Sequence, residues 1–74
     1  MGFASRQTHD LVQIVANGGG LIMDAGSRST TDLVLIAANA AAKGTRVTFL
    51  GMESRMTTDL VQIAANGKGF VTFG

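Results

Sequence analysis

The chain has 74 residues, with six lysines and arginines against five aspartates and glutamates, 46% hydrophobic residues, and no cysteine, proline, tryptophan or tyrosine. A domain of this length buries only about 60% of the surface its unfolded form exposes, so its stability margin is thin. The missing cysteines exclude disulfides, thiolate zinc sites and thiol nucleophiles, and a net charge of +1 excludes a polyanion binder driven by counterion release. Charged residues are only 15% of the chain, which leaves apolar surface over once one small core is filled and points to self-association.

At the start of the chain, Met1-Gly2-Phe3-Ala4-Ser5-Arg6 has neither the basic start nor the long apolar run of a secretory signal. Gly2-Phe3-Ala4 reads instead as the tail of a strand, much as Phe49-Leu50-Gly51 precedes Ser54. From Ser5 a repeat begins: Ser5-Arg6-Gln7-Thr8-His9-Asp10-Leu11-Val12-Gln13-Ile14 recurs as Ser27-Arg28-Ser29-Thr30-Thr31-Asp32-Leu33-Val34-Leu35-Ile36 and again from Ser54 to Ile63. The single domain, 1–74, therefore divides into units 5–26, 27–53 and 54–74. Each unit reads as helix, glycine turn, strand.

In the first unit, Thr8 is the expected N-cap and Asp10 places a carboxylate at the positive end of the helix. Leu11 and Ile14 form its inner face, and Asn17-Gly18 stops it before a strand at Leu21-Ile22-Met23. In the second unit, Leu33, Ile36, Ala37 and Ala40 fall at i, i+3, i+4 and i+7, one face of a helix capped by Thr30. The tail Ala40-Ala41-Ala42-Lys43 delays the stop to Gly44, so this helix is expected to be about one turn longer than its sisters. Val47 and Phe49 then alternate with Arg46, Thr48 and Leu50 as a strand. The third unit repeats the plan with Thr57, Asp59, Leu60 and Ile63, a stop at Asn66-Gly67, and a strand over Phe70-Val71-Thr72-Phe73. Val12/Ala16, Val34/Ala38 and Val61/Ala65 make a second apolar row, as a helix flanked by sister helices requires.

Helices alternating with strands predict an α/β fold: a small, mainly parallel sheet with right-handed crossovers and helices on one face. The other face would carry Phe70, Leu50 and either Leu21 and Met23 or Ile22, an apolar surface that a second molecule could cover. The final strand is in phase with the opening residues, so head-to-tail stacking of chains, or a circularly permuted ancestor, fits the pattern. Ile36, at the centre of the longest helix, is expected to touch the sheet and both flanking helices and to be costly to truncate, with Ile14 and Ile63 in the outer units costing less. The longest apolar stretch, Leu33 to Ala42, is interrupted by Asn39 and falls short of the roughly 20 residues of a membrane-spanning helix. A soluble, cytoplasmic protein without membrane or nucleic-acid partners is expected.

Arg6, Arg28 and Arg55 each lie two residues before an expected N-cap. Parallel strands would gather them with Ser5, Ser27, Ser54 and Thr8, Thr30, Thr57 at the carboxyl edge of the sheet, where α/β folds bind ligands. Such a cluster suits a phosphate or carboxylate; alternatively each arginine pairs with a nearby aspartate and the hydroxyls only cap. Gly18-Gly19-Gly20 follows a helix and precedes a strand, the reverse of the order in phosphate-binding fingerprints, and reads as a turn. His9 is expected to be solvated at its helix start, and Asp24 to point to water where its strand ends. Asn17, Asn39 and Asn66 would form a ladder between units or cap turns separately. One histidine, no cysteine and no convergent carboxylate pair leave neither a catalytic triad nor a metal or cofactor site.

Read without gaps, Gly2-Phe3-Ala4-Ser5-Arg6-Gln7-Thr8-His9-Asp10-Leu11-Val12 resembles the active-site segment of the HPr phosphocarrier family, Gly-Leu-His-Ala-Arg-Pro before a helix. The likeness continues, with about two residues deleted, through Leu21-Ile22-Met23-Asp24, the helix from Asp32, and Lys43-Gly44-Thr45-Arg46-Val47-Thr48-Phe49, about two-thirds of the chain. Ala4 stands at the family's phosphorylated histidine and Gln7 at its proline, so phosphotransfer is not carried over. Arg6 matches the phosphate-supporting arginine, and Asp32 falls near the regulatory serine. The family's first strand is missing unless Phe70 to Phe73 supplies it. The resemblance implies a regulator unable to carry phosphate and antiparallel pairing of the Val47-Phe49 strand beside the last strand.

Taken together, the residues point to a non-catalytic α/β repeat domain, not an enzyme, acting as a self-associating or protein-interaction scaffold. A phosphate-type anion module and a degenerate HPr-like regulator are the alternatives. The close similarity of the copies fits a designed or reconstructed chain as well as a recent duplication.

Overall fold

A computed structural model describes residues 7–26 and 28–74. In chain order it contains α1 (Thr8–Ala16), β1 (Leu21–Asp24), α2 (Thr30–Lys43), β2 (Val47–Leu50), α3 (Thr57–Gly67) and β3 (Val71–Phe73). The strands form one open sheet in the order β1-β2-β3. Both pairings are parallel, with Leu21 opposite Val47 and Val47 opposite Val71. The fold is therefore the α/β repeat expected, and β2 beside β3 runs in the sense opposite to the one the HPr likeness implies.

Each unit adds one strand and one helix to its predecessor. Alternation puts Leu21 and Met23, then Val47 and Phe49, into the core, while Ile22 and Leu50 face outward. The helices cover that inner face with the period read from the sequence: Leu33, Ile36, Ala37 and Ala40 are all fully buried. Small residues at Ala37 and Ala40 let α2 lie close to its neighbours, and at 14 residues it is the longest helix described. The remaining sheet face is open, and its apolar members are Ile22, not Leu21 or Met23, together with Leu50. Phe70 lies just before β3 and is half-buried.

The expected caps are displaced by one residue. Gln7, Ser29 and Met56 occupy the N-cap positions, and Thr8, Thr30 and Thr57 are the first helical residues. Only Ser29 caps through its side chain, accepting from the Asp32 N–H at 3.2 Å. The Thr8 and Thr30 hydroxyls are engaged elsewhere, as described below.

Helix α2 ends as expected on left-handed Gly44. Helix α3 instead runs through Gly67 and ends on Lys68, a non-glycine residue with φ of 51°. Gly67 is needed for packing rather than for the stop: a Cβ there would lie 2.2 Å from Val71 Cγ2. The left-handed position falls on Lys68, a residue that adopts it less readily than glycine.

Candidate functional site

The described loops that precede α2 and α3 lie at the carboxyl edge of the parallel sheet, as the sequence implies. Ser5, Arg6 and Ser27 lie outside the described residues. Arg28 donates from Nη1 to Thr8 Oγ1 at 2.8 Å, and Arg55 donates from Nη1 to Thr30 Oγ1 at 3.0 Å. Arg55 Nη2 also reaches the carbonyls of Ala25, at 3.0 Å, and Arg28. Thr8 in turn donates to Asp32 Oδ2 at 3.1 Å. An arginine before one helix therefore clasps the first threonine of the preceding helix. Ser54 is exposed beside Arg55.

The other singled-out polar residues act locally. Asn17, Asn39 and Asn66 donate to the carbonyls of Gln13, Leu35 and Gln62, each four residues earlier in its own helix, so they form no ladder between units. His9 is exposed and lies 3.2 Å from Gln13 Nε2. Asp24 is exposed and accepts from the Gly26 N–H, closing the turn after β1. Among the described residues no group of three His, Cys, Asp or Glu could hold a metal ion, and no helix is long and apolar enough to cross a membrane.

The surface that stands out is formed by the two ends of the repeat. Along each helix two rows meet the neighbours. The row Thr-Val faces the following unit: Thr8 and Val12 pack toward unit two, and Thr30 and Val34 toward unit three. The same row in α3, Thr57 and Val61, is exposed, with Val61 60% accessible. The row Asp-Ile-Asn faces the preceding unit: Ile36 and Ile63 are fully buried, and Asn39 and Asn66 are half-buried. In α1, Ile14 is only half-buried and Asn17 is exposed.

Each open end carries a depression. Asp10, Gln13, Ile14 and Asn17 line one of about 370 Å³ on the outer side of α1. Met52, Glu53, Leu60, Phe73 and Gly74 line one of about 210 Å³ where α3 meets β3. Individual periodicity could not reveal these faces, because sister helices carry the same residues there. Laying the copies side by side and asking which neighbour each lacks would have found them.

Comparison of the chain with protein-family models, with curated proteins and with solved structures finds no match.

Proposed function

We propose that this chain is a non-catalytic α/β repeat scaffold that works by associating with further copies of itself. The observation that carries this reading is Val61. Its counterparts Val12 and Val34 are partly buried and packed against the core, whereas Val61, on the same face of α3, is 60% exposed. Solvent on a position that the repeat otherwise buries leaves apolar area that association would remove from water. Among the described residues nothing pairs with the outer edges of β1 and β3, whose backbone donors and acceptors a neighbouring strand can use.

Sedimentation equilibrium from micromolar to millimolar chain concentration tests the proposal. The weight-average mass is expected to rise with concentration. A constant monomer mass across that range overturns it.

A further inference from the structure

The self-association proposed above has a specific geometry, and the inference rests on that reading. The chain builds the same interface twice: α1 and β1 against α2 and β2, then α2 and β2 against α3 and β3. Among the described residues its two halves recur without a partner, one at each end. The α3 end offers Thr57 and Val61, the counterparts of Thr8 and Val12. The α1 end offers Asp10, Ile14 and Asn17, the counterparts of Asp32, Ile36 and Asn39.

From this continuity we infer that a second copy docks head to tail, its α1–β1 side on the α3–β3 side of the first. Its β1 extends the sheet in parallel beside β3. The Thr57 hydroxyl then meets the Asp10 carboxylate of the second copy, as Thr8 meets Asp32 at 3.1 Å within the chain. Val61 packs beside Ile14, as Val12 and Val34 pack beside the helices that follow them. The surfaces joined are different patches of the same molecule, so the interface is heterologous and each docked copy presents a fresh end for the next.

The alternative occupant of exposed apolar area, a second copy lying face to face over Ile22 and Leu50, would join identical patches and stop at a dimer. Two blocked variants separate the cases. Val61→Arg obstructs the α3 end and Gln13→Arg the α1 end; both positions are exposed, so neither substitution disturbs the core. Each variant alone is expected to be monomeric under conditions where the parent chain associates, and an equimolar mixture is expected to form a one-to-one heterodimer and nothing larger.

Because the chain has no cysteine, oxidation gives a second readout. Thr57→Cys and Asp10→Cys chains should cross-link when mixed and not when alone. If the parent associates while both arginine variants also associate alone, or if Ile22→Arg dissociates it and Val61→Arg does not, the head-to-tail geometry is overturned and self-association stands. A parent chain that never associates overturns both.

Discussion

Thr30 and Thr57 occupy the same place in successive units, yet only Thr30 accepts a hydrogen bond from a guanidinium, Arg55 Nη1 at 3.0 Å. The bond is partly buried, where a charged donor left without its acceptor carries a desolvation cost. Thr30→Val is therefore expected to destabilise the fold by about 1–2 kcal/mol. Thr57→Val, at an exposed site, is expected to change stability by less than about 0.5 kcal/mol. Both substitutions alter the first helical residue alike, so intrinsic helix preference cancels in the comparison. Urea unfolding at low protein concentration measures the difference, and equal effects would show that the arginine clasp contributes nothing. The position of these hydroxyls was legible in the sequence, but their role was not. Thr57 lies one residue past its cap just as Thr8 and Thr30 do, so the arginines do not set the caps; they decide only what the hydroxyl meets, from 20 residues away in one case and 25 in the other.

At the scale of the helices, burial ranks three equivalent isoleucines. Ile36 and Ile63 are fully buried and Ile14 is half-buried. The sequence suggested that both outer isoleucines would cost less than Ile36, on the ground that each outer unit has one neighbour. For Ile63 that expectation is corrected: the isoleucine row faces the preceding unit, so α3 has its isoleucine covered and α1 does not. Ile36→Ala and Ile63→Ala are each expected to cost about 2–5 kcal/mol, the range for truncating a buried isoleucine. Ile14→Ala should cost less than either, since part of its side chain already meets water. Thermal or denaturant melts of the three variants give the order. A loss at Ile14 equal to that at Ile63 would mean that α1 is covered in solution, as head-to-tail docking requires, and dilution should then restore the difference.

For the whole molecule, stability and assembly are linked. A copy that binds only the folded chain stabilises it by mass action, and each tenfold rise in concentration well above the dissociation constant adds about 1.4 kcal/mol. With a domain of this size the thermal midpoint should then climb by several degrees per decade of concentration. Calorimetry at two concentrations tests this; a midpoint independent of concentration argues against association of the native state.

Among the described residues the number of elements, their order, the longer middle helix and the inner helical face were determined by the sequence alone, because periodicity, glycine placement and a repeat are local properties that survive without knowledge of neighbours; the strand tail read at Gly2-Phe3-Ala4 lies outside the described residues. The parallel sheet followed from them, since like units joined by like connections must run the same way. Tertiary structure decided what sister copies with the same residues do differently. It placed Val61 in water and Val34 against the core, and it brought an arginine to the hydroxyls of Thr8 and Thr30. It also moved the end of α3 past Gly67, whose missing side chain makes room for Val71. The physical reason is common to all of these: each depends on which unit lies on which side, and stacking gives every helix two unlike sides while the repeated sequence gives it only one identity.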